Sequence, residues 1–243
     1  MTEGQSGTLP VAGRVIMVSG ANRGIGLAIA RRLHGDGYRV SLGARDTAAL
    51  LRAIAPFADS RVLCCRFDAR ERASAAAWVE ETARRMGRID GLVNNAGVLH
   101  LAGFEELDED SLDEQWEVNV KAPYRLIVAA LPHLRRTGAG RIVNVVSMSG
   151  LRFTPGGVGY VMTKHAALAL SHAARHHLFN DGIRVTALCP GSTRTDMTAG
   201  RLPAEADLTR PETLAAIVSL VISLPNSATV ATLPVNWQYE VVG

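Results

Sequence analysis

The chain has 243 residues, of which 47% are hydrophobic and 20% charged, with a net charge of +3. That length and apolar content suit one sizeable α/β domain and exclude the disordered class. Aromatic residues are sparse, no Lys/Arg block stands out and no apolar run is long enough for a membrane helix, which argues against nucleic-acid and membrane partners.

Residues 1–13 are polar and Gly/Ser-rich and are expected to form a flexible lead-in, followed by a single domain over 14–243. Arg14 to Ser19 is a short apolar strand. Gly20-Ala-Asn22-Arg23-Gly24-Ile25-Gly26 follows, and Leu27 to Leu33 continues as a helix. Strand, glycine turn and helix together allow a backbone to approach a pyrophosphate, with the helix N-terminus offering free N–H groups. A plain tight turn is the alternative.

Tyr38 to Gly43 is the second strand, whose end meets an adenosine ribose in a βαβ unit. Ala44 and Arg45 occupy the turn there, and Arg23 sits inside the glycine loop. Two guanidiniums suit a 2′-phosphate, by charge and by bidentate geometry. Ordinary surface arginine is the alternative, and the following Asp46 would favour the free 2′-hydroxyl.

Arg61 to Phe67 is the third strand, ending in Asp68, and Arg72 to Met86 an amphipathic helix. The adjacent Cys64 and Cys65 are poor disulfide partners. With Cys189 they read as reduced thiols of a cytoplasmic protein. Ile89 to Val93 is the fourth strand, closed by Asn94-Asn95-Ala96-Gly97, where small residues and an amide leave room for a flat ligand. A long helix is expected from Leu112 to Leu134. Asn119 falls in its middle, placed there for its side chain, for a kink, or merely tolerated.

Arg141 to Ser147 is a β-branched run and the fifth strand. After a Gly-rich loop, Tyr160-Val-Met-Thr-Lys164 opens the next helix and puts the phenol and the ammonium on one face. A cation one turn away favours the phenolate, which matters because free tyrosine titrates near ~10. Only two lysines occur, Lys121 and Lys164, among many arginines. A surface Tyr–Lys pair is the bland reading of this spacing. Ile183 to Leu188 is the sixth strand, and Cys189-Pro190-Gly191-Ser192-Thr193-Arg194-Thr195 leaves it as a loop. Pro211 to Leu224 is helical, and Leu233 to Trp237 makes a seventh strand. The alternation implies an α/β fold, a doubly wound and mostly parallel sheet with helices on both faces. Every motif falls at a strand C-terminus, where such sheets bind ligands. His172 and His176 share a helix face without a carboxylate or thiol cluster, so no metal is expected.

From Arg14 to about Val235 these motifs resemble the short-chain dehydrogenase/reductase family. The match comprises Gly20-x-x-x-Gly24-x-Gly26, Asn94-Asn95-Ala96-Gly97, Asn119, Ser147 with Tyr160-x-x-x-Lys164, and Pro190-Gly191 with Thr195. The resemblance implies a single Rossmann-fold domain and hydride transfer between a nicotinamide and a small carbonyl or alcohol substrate. Its catalytic set would be Asn119, Ser147, Tyr160 and Lys164, with Tyr160 as acid/base, Ser147 on the carbonyl and Asn119 anchoring a water chain to Lys164. Its cofactor set would be Gly20, Asn22, Arg23, Gly24, Ile25, Gly26, Arg45, Asp68, Asn95, Ala96, Gly97, Tyr160, Lys164, Pro190, Gly191, Thr193 and Thr195. Within that set, Asp68 would meet the adenine edge and Thr195 the carboxamide. Arg23 with Ala44-Arg45 marks NADP(H), with NAD(H) as the alternative. A homodimer or homotetramer is implied, although the ending from Leu233 to Gly243 lacks the family's common Val-Asp-Gly-Gly. Leu99, His100, Leu151, Arg152 and Phe153 are expected around the substrate. A 3-oxoacyl-acyl-carrier-protein reductase that uses Arg135 and Arg136, an NAD-dependent alcohol dehydrogenase and a non-catalytic cofactor-binding regulator are the rival readings.

Overall fold

Seven apolar runs become seven strands of one sheet in the computed structural model, which describes residues 7–154, 157–200 and 207–237. They are β1 (Val15–Ser19), β2 (Arg39–Ala44), β3 (Val62–Arg66), β4 (Gly91–Asn94), β5 (Arg141–Val145), β6 (Arg184–Pro190) and β7 (Thr232–Val235). Their order is β3-β2-β1-β4-β5-β6-β7, and every neighbouring pair is parallel. Parallel strands covered on both faces need apolar side chains on both, so the runs are continuous rather than alternating in polarity.

The register shows how the two faces are sorted. Met17 pairs with Leu92, Leu92 with Ile142 and Ile142 with Val185, a row that points into one core. Val18, Val93 and Val143, one position on, point into the other. Each such Leu, Ile or Met, fully buried, stabilises the fold by roughly 1.5–3 kcal/mol.

The helices are α1 (Gly24–Gly35), α2 (Thr47–Ile54), α3 (Ser74–Met86), α4 (Glu109–Trp116), α5 (Ala122–Thr137), α6 (Val158–Leu178) and α7 (Pro211–Ser223). Ile29 and Leu33 of α1, Leu50 and Ile54 of α2, and Leu214 and Val218 of α7 cover one face. Trp78 of α3, Leu126 and Leu134 of α5, and Leu178 of α6 cover the other.

Four local expectations change. The single helix read over Leu112–Leu134 is two α-helices joined by a π-helical turn, Glu117–Lys121, with Asn119 at its centre. The helix α2 was not anticipated. Its N-cap is Asp46, whose carboxylate accepts from the Ala49 N–H at 2.8 Å, so this carboxylate is engaged in capping. The sixth strand continues through Cys189 and Pro190, taken above for loop. The lead-in is tied down from Leu9 on: the Leu9 N–H donates to the Ser223 carbonyl at 2.7 Å, and Val11 packs on the core. Trp237 lies just past β7, and Met1 to Ser6 and the tail after Trp237 lie outside the described residues.

Candidate active site

Strand order reverses between β1 and β4, so the loops leaving their C-terminal ends turn in opposite directions and open a crevice. The cleft there has a volume of about 500 Å³. Gly20, Asn22, Arg23, Gly24, Ile25, Arg45, Asp68, Asn95, Ala96 and Gly97 line it, as do Ser147, Tyr160, Lys164, Pro190, Gly191, Thr193 and Thr195. Of the expected site residues, Gly26 and Asn119 are not among these lining residues.

Gly20 (φ 65°) and Gly24 (φ 53°) adopt left-handed backbone that suits glycine. A Cβ on Gly20 would meet the Ala96 Cα at 3.0 Å, and one on Gly26 would meet the Gly20 carbonyl oxygen at 2.3 Å. Gly26 therefore acts from behind, letting the loop fold onto its own helix. No side chain caps the first turn of α1, and Gly24 and Ile25 both open onto the cleft. This is the arrangement in which a helix N-terminus takes a phosphate, so the loop fits a dinucleotide. Ser19 holds the facing wall: its Oγ accepts from the N–H groups of Asn95 (2.9 Å) and Ala96 (3.0 Å). The Asn95 amide donates to the carbonyls of Ser19 (3.0 Å) and Gly20 (3.2 Å), so it binds β4 to the glycine turn.

Ser147 ends the fifth apolar run, and its Oγ accepts from the Ser149 N–H at 3.1 Å. The Ser149 hydroxyl is engaged with Thr154 Oγ1 at 2.8 Å. Tyr160 stands in the first turn of α6. Lys164, one turn on, places its Nζ 5.4 Å from the Tyr160 ring centroid and donates to the Val145 carbonyl at 3.2 Å. The lysine is buried, and burial pushes its pKa down to about 8. Beside it, burial pushes the Cys189 thiol up to about 11. Asn119 is buried as well. Its amide donates to the Val98 carbonyl (3.0 Å) and Thr163 Oγ1 (3.1 Å), and its Oδ1 accepts from the Val98 N–H (3.0 Å). A Cβ on Gly97 would stand 3.3 Å from Asn119 Oδ1 and 3.7 Å from Lys164 Nζ, so Gly97 is the narrow wall where both approach the cleft.

At the other end Asp68 is buried, and the hydrogen-bonded Arg70 guanidinium holds its carboxyl below the ordinary carboxylate range. Arg45 stands exposed at the rim. Arg23 lines the same cleft. Its Nη1 lies 3.1 Å from Asp196 Oδ2, with both side chains largely exposed, so it spans the glycine loop and the loop after β6. Those loops also touch where a Gly24 Cβ would meet Thr195 Cγ2 at 3.3 Å. Of the residues expected around a substrate, Leu99 and Arg152 line the cleft. Leu151 packs against the cluster of Val146, Ala167, Ala187 and Cys189 instead, Phe153 is exposed, and His100 pairs with Glu114 at 2.8 Å. Sequence reasoning missed Arg70, Glu114 and Thr154, all at the cleft; only Arg70, two residues after Asp68, carried a local signal. Among the described residues no group of three or more His, Cys, Asp or Glu could hold a metal ion, and no helix is long and apolar enough to cross a membrane.

The sheet order and the glycine turn define a Rossmann-like α/β protein, and the comparisons narrow the class. Residues 14–206 match the family model for short chain dehydrogenases. The chain belongs to the short-chain dehydrogenase/reductase family, whose members are NAD(P)-dependent oxidoreductases. The agropine synthesis reductase of Rhizobium rhizogenes is 42% identical over 216 residues, covering 88% of this chain and 50% of that protein. The chain thus spans about half the length of this curated relative. The monensin polyketide synthase putative ketoacyl reductase of Streptomyces virginiae is 37% identical over 192 residues, 76% of this chain and 72% of that one. Among solved structures, an alcohol dehydrogenase from Thermococcus sibiricus complexed with 5-hydroxy-NADP superposes with a TM-score of 0.86 at 31% identity, covering 94% of this chain and 99% of that one. A 3-ketoacyl-(acyl-carrier-protein) reductase from Brucella melitensis complexed with NADH gives 0.88 at 28%, covering 94% and 98%.

Proposed function

We propose that the chain is an NADP(H)-dependent oxidoreductase that interconverts a small carbonyl compound and its alcohol, working chiefly as a reductase. The observation that carries this reading is the buried Lys164 ammonium beneath the Tyr160 ring, at the end of the strand that delivers Ser147. Bound at the glycine turn, the nicotinamide cofactor supplies or accepts the hydride. Tyr160 gives its proton to the developing alkoxide, and Ser147 donates a hydrogen bond to the same oxygen. The Lys164 charge stabilises the phenolate left behind. Asn119, fixed through Val98 and Thr163, holds the wall against which Lys164 is placed.

Relatives named as reductases favour the reducing direction, and Arg45 at the rim favours NADP(H) over NAD(H). Titration of protein fluorescence with NADPH and NADH tests the choice. NADPH is expected to bind at least ~10-fold tighter, and Arg45→Asp to remove most of that margin, since charge-assisted phosphate contacts are worth about 1.5–3 kcal/mol. Equal binding of both cofactors to the wild type would sink the NADP(H) assignment. Of the two arginines offered to a carrier protein, Arg135 pairs with Asp181 at 2.7 Å and Arg136 contacts His133 at 2.6 Å, both at the surface.

We further propose a homodimer or homotetramer in a reducing, cytoplasmic setting. Tyr124 and Val128 on α5 and Met162 on α6 expose apolar surface, and all three cysteines are free. Sedimentation is expected at two or four times 25.9 kDa; a species of one chain mass at micromolar concentration refutes the assembly.

A further inference from the structure

The loop leaving β4 carries two leucines that the chemistry leaves without a task. Its backbone is tied down at alternate residues. The Val98 N–H donates to Asn119 Oδ1 at 3.0 Å, the His100 N–H to Gln115 Oε1 at 3.3 Å, and the Ala102 carbonyl accepts from the Val158 N–H at 3.1 Å. Leu99 and Leu101, between those ties, bring their side chains to one place. A Cβ on Gly157 would stand 3.5 Å from Leu101 Cδ2, 3.8 Å from Leu99 Cδ1 and 3.4 Å from Tyr160 Cβ. Both leucines thus reach the start of α6 beside the tyrosine. Leu99 lines the cleft, and Leu101 stands next to it with 56% of its surface exposed. Met197, on the loop after β6, lines the same cleft and is also exposed. A lone exposed leucine needs no explanation, but adjacent apolar side chains beside a cleft mark a binding surface. The carboxylates lining the cleft are committed: Asp46 caps α2, Asp68 is held by Arg70, Glu114 by His100, and Asp196 by Arg23. A cationic substrate would have to break one of these contacts, whereas an apolar group gains by covering the leucines.

We propose that Leu99 and Leu101 select the substrate: the carbonyl compound carries an alkyl arm, which lies along the two leucines while Ser147 and Tyr160 hold the reacting carbonyl. The assignment rests on the oxidoreductase reading above. It makes a lipophilic aldehyde or ketone, rather than a charged or heavily hydroxylated one, the substrate class.

The test uses straight-chain aldehydes and methyl ketones of increasing length, reduced by NADPH with the full chain and its Leu99→Ala, Leu101→Ala and doubly substituted variants. For the wild type, kcat/KM is expected to rise by about 3-fold per added methylene until the arm outgrows the leucines, as burial of a CH2 group supplies. Each single substitution flattens that rise, mostly through KM, and the double variant brings it close to nothing. A purely structural role would lower short and long substrates by one factor and leave the rise intact, which overturns the proposal. A flat wild-type series also overturns it, while the oxidoreductase reading stands. So does a Leu101→Ala protein that changes its sedimentation but keeps the rise, since a second copy of the chain would then be what covers the leucine. Binding of straight-chain primary amides, unreactive carbonyl analogues, to the protein–NADPH complex is read in parallel by fluorescence. Amides that bind more tightly with length, in a series where nothing turns over, leave the apolar arm standing and remove the oxidoreductase reading. Neither turnover nor a length-dependent affinity overturns both. NADPH titration of each variant reports whether the fold survives; should Leu99→Ala fail to fold, the exposed Leu101 decides, and an unchanged rise in Leu101→Ala counts against the assignment.

Discussion

Tyr160→Phe is expected to lower kcat by about 10³-fold while leaving NADPH affinity within a few-fold of wild type. The substitution removes one hydroxyl and keeps the ring, so the first turn of α6 retains its packing. The Val158 N–H still donates to the Ala102 carbonyl, and Thr163 Oγ1 still donates to the Tyr160 carbonyl at 2.9 Å. What disappears is the only group proposed to pass a proton to the alkoxide, a role typically worth 10²–10⁴ in rate. Ser147 can still hydrogen-bond the oxygen but is not the group proposed to give it a proton. Stopped-flow measurement of NADPH oxidation and fluorescence titration of NADPH separate the two effects. Turnover within ten-fold of wild type would falsify the role given to Tyr160. Loss of both turnover and binding would mean that the phenol holds the cofactor rather than the proton. A regulator that merely senses the cofactor would bind NADPH in both forms and turn over in neither.

The sheet was legible because parallel strands buried on both faces leave continuous β-branched runs, and seven of these were visible. The cleft was legible because glycine, small and amide residues cluster where those runs end. What the sequence did not disclose depends on geometry between distant segments. Asp46, which weighed against the reading of Arg45, caps α2, an eight-residue helix whose short apolar pattern was overlooked. The π turn at Glu117–Lys121 leaves no mark in composition, since one extra residue per turn changes hydrogen bonding and not residue type. Asn119 fits both of the specific readings offered for it, a side chain with a purpose and a helix irregularity. The Arg23–Asp196 contact joins residues 173 positions apart. The chain of amides from Asn94 to Asn144 (2.8 Å) and on to Ser171 (2.8 Å) likewise crosses two strands and a helix. No local periodicity encodes such pairs.

Lys164→Met is expected to make the protein more stable at pH 7 while removing most of its turnover. Lys164 is 6% exposed and has a backbone carbonyl as its hydrogen-bond acceptor, so its charge is desolvated at a cost. The pKa falls from 10.5 to about 8. By linkage this corresponds to roughly 3 kcal/mol lost whenever the folded lysine is protonated. Stability changes with pH as the difference in protons bound between the unfolded and native states. Between pH 8 and 10.5 the unfolded lysine keeps its proton and the native one has released it, so wild-type stability rises with pH across that window. Below about pH 8 both are protonated and the penalty is present in full. Methionine fills similar volume without charge, and the Val145 carbonyl loses a bond worth about 1 kcal/mol. A net gain of about 2 kcal/mol at pH 7 follows, or ~4–8 °C in Tm for a chain of this size. Urea unfolding of the two proteins without added cofactor, at pH 7 and at pH 10, reads it directly: the gap should be present at the first pH and mostly closed at the second. A destabilised variant at pH 7, or a gap independent of pH, would show that Lys164 is held in its pocket without strain. The expected outcome has the opposite meaning. A buried charge that weakens the fold persists because the phenol beside it needs a cation there, and stability is given up at the point where the chemistry is done.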